Sequence, residues 1–171
     1  VLSFCSEPLE EDLVVIGPIR AHLFIASDAQ LLHFAASNVR PQGRPAGGMA
    51  GINLGDGAKA IFFGAVDSVE DAVVLTAANS SASLAGTDPG SAKLSLLTEF
   101  PGKGRATGGV RAQRFVRGED QLFFGWVGEA EPLAANIDGK PAQLPTEPMK
   151  RDASGAPMAQ VIANVGVAKR D

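Results

Sequence analysis

The chain has 171 residues, 45% hydrophobic and 20% charged, which is enough for a packed core and unlike a disordered or collagen-like composition. No apolar run approaches the roughly 18 residues of a membrane span, and the single Cys5 excludes an internal disulfide framework and fits a reducing cytosol. Net charge is −4 but unevenly spread: residues 1–80 carry −5 and residues 81–171 carry +1.

Twenty Gly and eleven Pro predict many turns and short strands, and no stretch keeps a helical apolar period over three turns. Val1-Leu-Ser-Phe4 reads as the end of a strand and Glu10-Glu11-Asp12 as a solvated linker, so the chain is expected to be a piece of a longer polypeptide. The run from His22 to Phe34 turns at Asp28 and predicts a hairpin. A basic Gly/Pro loop follows, Arg40-Pro-Gln-Gly-Arg44, then Gly47-Gly48, a strand from Met49 to Leu54, a turn at Gly55-Asp-Gly57 and a strand from Ala60 to Val66.

The same order then recurs. Ala72 to Thr76 and Lys93 to Leu97 predict a second hairpin, whose long Gly/Ser-rich tip from Asn79 to Gly90 is expected to be mobile. Its loop is Pro101-Gly-Lys-Gly-Arg105, its strands Val110 to Val116 and Gln121 to Val127, with a turn at Gly118-Glu-Asp120 between them. Pro132 to Leu144 is a third hairpin around Asp138-Gly139, a dipeptide suited to the positive φ of a tight turn.

Two frames lie 61 residues apart: Arg44-Pro-Ala-Gly47-Gly48 with Phe62-Phe63-Gly64, and Arg105-Ala-Thr-Gly108-Gly109 with Phe123-Phe124-Gly125. A fainter copy starts at Arg151, with Gly155 four residues on and no Phe-Phe-Gly end. A fixed internal period means stacked supersecondary units. Four short strands per copy predict an all-β, propeller-like array with about three blades present. The expected divisions are 1–20 (end of a preceding blade plus acidic linker), 21–70, 71–130, and 131–171 as a degenerate terminal repeat and tail. The Gly-Gly and Phe-Phe pairs are read first as packing residues.

The strings from Asn38 to Ile52 and from Thr98 to Arg111 resemble the blade repeats in the C-terminal domain of the bacterial DNA gyrase A subunit and of the topoisomerase IV A subunit. The resemblance is clearest over residues 21–66 and 73–127 and weak over 131–166. It implies a β-pinwheel, with blades linked differently from a propeller and a basic rim around which duplex DNA bends. It further implies, as partners, the rest of the A subunit and an ATPase B subunit, with ATP and Mg used elsewhere in the parent enzyme and no cofactor in this chain. No membrane role is implied, and the expected location is a bacterial cytoplasm, at the nucleoid. Gyrase A subunits carry an Arg/Lys/Gly-rich heptad for wrapping. The nearest string here, Gln42 to Gly48, holds one basic residue and reads as an ordinary blade loop. That departure favours a topoisomerase IV-like activity, or a piece cut after the heptad.

Residues 93–117 hold six basic side chains (Lys93, Lys103, Arg105, Arg111, Arg114, Arg117) against Glu99 alone, and such a stripe acts over about 8 Å at physiological salt. The DNA-binding candidates are Arg40, Arg44, Lys103, Arg105, Arg111, Arg114, Arg117, Lys150 and Arg151, cations on loops or strands that could meet phosphates. Arg111 and Arg114, three apart in a strand-like run, are not expected to share a face. Catalysis is not expected here. There is no Tyr to attack DNA, no nucleotide phosphate loop, and the two histidines, His22 and His33, stand eleven apart without a zinc-ligand pattern. Both histidines and Trp126 read as strand and packing residues. The competing reading is a propeller-like protein-interaction module without DNA affinity, motivated by the acidic first half.

Overall fold

The computed structural model describes residues 21–42, 47–129 and 131–167. Hairpin β1 (Ala21–Ala26) and β2 (Gln30–Ala35) forms where the sequence predicts it, with Ala29 at φ 62° closing the turn. Strand β3 (Ala60–Val66) pairs antiparallel on the other side of β1. The second hairpin is β4 (Val73–Asn79) and β5 (Ser91–Leu96). Then come β6 (Val110–Arg111), β7 (Gln121–Gly128), β8 (Pro132–Ala135), β9 (Pro141–Ala142), β10 (Ala156–Pro157) and β11 (Asn164–Val167). Short 3-10 turns, Ala36–Asn38 and Leu97–Glu99, follow the two main hairpins, again 61 residues apart. The fold is all-β.

The strands make three antiparallel sheets, ordered β3-β1-β2-β6, β10-β5-β4-β7 and β11-β8-β9. Here the structure corrects the expectation that each copy supplies its own four strands. The outer strand of the first sheet, β6, comes from the second copy, and that of the second sheet, β10, from the third. The predicted strand from Met49 to Leu54 is reduced to an isolated bridge, Ile52 to Thr107, and that from Val110 to Val116 shrinks to two residues.

The two junctions use the same bonds in the same places. At the first, Lys103 N–H donates to His33 O (3.0 Å), Asn53 N–H to Thr107 O (3.0 Å) and Ala112 N–H to Ala29 O (2.7 Å). At the second, Met149 N–H donates to Leu94 O (2.8 Å), Arg114 N–H to Ala153 O (3.1 Å) and Met158 N–H to Gly90 O (2.9 Å). Residues of the earlier copy move on by 61 positions and those of the later copy by 46, so every pair maps onto its counterpart. Three backbone N–H groups at each junction thus find carbonyl partners across it. The frame glycines fit this contact. A Cβ on Gly109 would stand 2.6 Å from Leu31 O, and one on Gly155 would stand 2.6 Å from Ser91 Oγ.

Two apolar layers hold the sheets together. Leu23, Ile25, Leu31 and Phe62 of the first sheet meet Val74, Ala78, Leu122 and Val127 of the second. Leu75, Ala77, Leu94, Phe124 and Trp126, on the other face of the second sheet, meet Leu144, Ile162 and Val165. Each fully buried aliphatic side chain contributes about 1.5–3 kcal/mol. Trp126 is a packing residue, as read. His33 is a buried strand residue whose Nε2 bonds Phe100 O at 2.7 Å; the side chain of His22 is outside what the structure describes.

The Phe-Phe-Gly repeat needs a second correction. A bulge opposite Ile25–Ala26 leaves Ile61 as the extra residue of β3, and one opposite Ala77–Ala78 leaves Phe123 as the extra residue of β7. Counted from the bulge, Phe62 corresponds to Phe124 and Phe63 to Gly125. The two strings are therefore out of step by one residue, and a one-residue slip exchanges the faces. A Cβ on Gly125 would lie 2.9 Å from Ile25 Cδ1 and 3.2 Å from its Cγ2, so any side chain there makes Ile25 shift.

Candidate nucleic-acid interface

The loops that stitch one sheet to the next also carry most of the cations selected from sequence. Lys103 is exposed, and its Nζ donates to Gly109 O at 3.0 Å across its own loop. Arg105 is half-buried and donates from Nη1 to Ala50 O (3.1 Å) in the preceding copy. Arg151 is also half-buried and donates from Nη1 to Arg111 O (3.3 Å). Arg111, Arg114, Arg117 and Lys150 are exposed.

Between Arg111 and Arg114, Ala112 and Gln113 are both buried. The strand ends after Arg111, so the run does not alternate and both arginines reach solvent. Arg117 stands on the Val116–Glu119 turn, closed by Glu119 N–H to Val116 O (3.0 Å). The backbone bonds thus bring Arg111, Lys150 and Arg151 together at the second junction. At the first, Arg40 and Arg105 line a groove of about 310 Å³ with Phe24, Phe34, Gln42 and Phe63. Arg44 lies outside the described residues.

Lys93 belongs to the basic stripe in sequence but not in space. It is 1% exposed, and its Nζ donates to Lys150 O (3.1 Å) and to Arg151 O. Burial pushes its ammonium down to about 8, with Asp152 opposing and Arg151 adding to the shift. A polar chain lies beside it. Thr76 Oγ1 donates to Gln113 Oε1 (2.7 Å), Gln113 Nε2 to Ser91 Oγ (3.1 Å), and Ser91 Oγ to Glu119 Oε1 (2.5 Å). Sequence reading missed this layer. Its signal was the repeat itself: Lys93 and Gln113 stand where the first copy has Leu32 and Ile52.

The tip of the second hairpin, expected to be mobile, is tied by two aspartates. Asp120 accepts from the Ser81 hydroxyl and N–H, both at 2.7 Å. Asp88 accepts from Ser80 N–H, Gly90 N–H and the Ser83 hydroxyl. The hydrogen bonds from Ser81 hold the Asp120 carboxyl below its ordinary value, and those from Ser80, Gly90 and Ser83 do the same for Asp88. Among the described residues no cluster of three or more His, Cys, Asp or Glu could hold a metal, and no helix is long and apolar enough to cross a membrane.

Residues 23–67 and 84–123 match the family described as DNA gyrase C-terminal domain, beta-propeller. Among solved structures, the C-terminal domain of DNA topoisomerase IV is similar at TM-score 0.68 and 18% identity, covering 87% of this chain and 46% of that one. The E. coli ParC C-terminal domain is similar at TM-score 0.65 and 15% identity, covering 91% of this chain and 63% of that one. The chain therefore spans about half to two thirds of the length of these domains. No curated protein matches it. The family match falls on the two clear repeats of the chain, and the likeness in fold to the two solved domains extends over most of it.

Proposed function

We propose that this chain is a DNA-binding accessory domain of a type IIA topoisomerase A subunit, bending duplex DNA along its cationic junction loops. Strand cleavage and ATP hydrolysis, with Mg, would belong to other parts of the parent enzyme and to a B subunit, in a bacterial cytoplasm. The observation that carries the reading is the exposure of Arg111, Arg114 and Lys150 around one junction, with Arg117 exposed on the turn that follows, in a chain whose repeats match the gyrase C-terminal domain family. Contact would be to phosphates and read through bendability, since the described residues form no helix longer than a 3-10 turn to enter a groove.

The test is a duplex titration at 50, 100 and 200 mM salt. Each neutralised phosphate contributes about 0.9 to the slope of log affinity against log salt, so four contacts give a slope near −3.6. No retention at 50 mM salt, or a flat slope, rejects the proposal. The alternative, a protein-interaction module, draws on the −5 charge of residues 1–80. It predicts that Arg114→Glu with Arg117→Glu leaves DNA retention as it was.

A further inference from the structure

We infer that the arginine of the repeated frame is a positioning residue. Arg105 and Arg151 each clamp one repeat to the backbone of the repeat before it, and so fix the spacing of the exposed cations. The clause about cations rests on the proposed DNA binding; the clamp itself does not.

The inference rests on a coincidence of geometry that surface charge does not explain. Arg105 Nη1 meets Ala50 O, and Arg151 Nη1 meets Arg111 O. Ala50 and Arg111 are 61 residues apart, the period of the repeat, so both guanidinium groups take the same carbonyl of the preceding copy. Both sit among the repeated backbone bonds of the junction, between the Lys103–His33 or Met149–Leu94 bond and the Asn53–Thr107 or Arg114–Ala153 bond. Both are half-buried, whereas Lys103, Arg111, Arg114, Arg117 and Lys150 are exposed.

The chemistry suits arginine. A guanidinium stays charged at any relevant pH and offers five N–H groups in a fixed fork, so one can hold a carbonyl while the charge still faces solvent. Hydrogen bonds to a charged group are stronger than neutral ones. The second clamp acts on the carbonyl of Arg111, itself a candidate for phosphate contact. It thereby ties the position of one exposed cation to the docking of the next repeat.

The experiment compares two double variants of the whole chain, Arg105→Ala with Arg151→Ala and Arg114→Ala with Arg117→Ala. Melting temperature and the salt slope of duplex binding are measured for each. The clamp pair should lower the melting temperature by roughly 3–8 °C and leave the slope within about half a unit of the parent. The rim pair should leave melting unchanged and reduce the slope by about 2.

An unchanged melting temperature in the clamp pair overturns the inference, and so does a slope reduced by about 2, because either makes these arginines ordinary phosphate contacts. If the clamp pair fails to fold, Arg151→Ala alone is read by amide exchange. Arg114, Met149 and Met158 should exchange about tenfold faster or more while the β1–β2 hairpin is unaffected; equal rates overturn the inference. Failure of every variant and the parent to bind duplex would reject the proposed function and still leave the melting and exchange results to decide the clamp.

Discussion

The same face of two successive sheets is filled in opposite ways. On the first sheet it carries Phe24, Leu32, Phe34 and Phe63, with Phe24 4.8 Å from the Phe63 ring and 6.0 Å from the Phe34 ring, centroid to centroid. On the second sheet the corresponding places hold Thr76, Lys93, Ser95 and Gly125. Strand pairing and junction bonds are nonetheless the same in both. The backbone ladder and its stitching define the unit, and the side-chain layer on top can be aromatic or polar. The condition is that buried polar atoms find partners. The second layer meets it through the Thr76–Gln113–Ser91–Glu119 chain and the two carbonyls that Lys93 reaches, with Ser95 Oγ left over.

The harshest way to break this comparison is to give the second sheet the first sheet's residue where the second sheet abuts Ile25. Gly125→Phe would drive a ring into Ile25 and should cost about 3 kcal/mol or more, read as loss of a cooperative melt. Lys93→Leu, which copies Leu32, sharpens the comparison through pH. The folded-state value of Lys93, about 8, lies below the 10.5 of an ordinary lysine. Between those values the unfolded chain binds the extra proton, so stability rises with pH and the burial cost is fully present below about 8. Neutral Lys93 keeps two N–H groups for its two carbonyl partners.

The parent should therefore gain stability on the order of 3 kcal/mol relative to Lys93→Leu between pH 8 and 10.5. Parallel denaturation midpoints across that window would contradict this. Thr76→Val should cost about 2 kcal/mol, because Gln113, 1% exposed, loses the donor to its Oε1; chemical denaturation measures it. The smallest effect is expected on the aromatic side. Phe63 is 60% exposed, so Phe63→Ala should cost about 1 kcal/mol, the scale of one ring pair. A loss as large as that from Gly125→Phe would mean that the first sheet depends on this exposed face as much as the second depends on its buried one.

The repeat, the hairpins and the all-β architecture were legible because hydrogen-bonding units of fixed length leave a period, and turn chemistry at Asp138-Gly139 leaves a local mark. Strand ownership was not legible. Val110-Arg111 and Ala156-Pro157 look like parts of their own copies, and only a sheet edge in the preceding copy decides their pairing. The face of Phe63 was hidden for a related reason, since a single bulge residue reverses every side chain after it. The candidate cations were chosen by residue type and by their place on the loops and strands of the repeats. Type could not separate Arg105 and Arg151, held on carbonyls, from Arg114 and Arg117, nor show that Lys93 is buried. Alignment of the copies against one another would have shown Lys93 in a leucine's place.

Because the first two sheets each borrow their last strand from the next copy, no cut made between these repeats yields an intact piece. A chain ending at Glu129 keeps both strings of the frame, yet it strips β10 from β5 and leaves Lys93 without its acceptors. A raw strand edge beside an uncovered ammonium invites self-association. The cooperative element is shifted along the chain relative to the written one, like tiles whose overlap rather than outline keeps the roof closed.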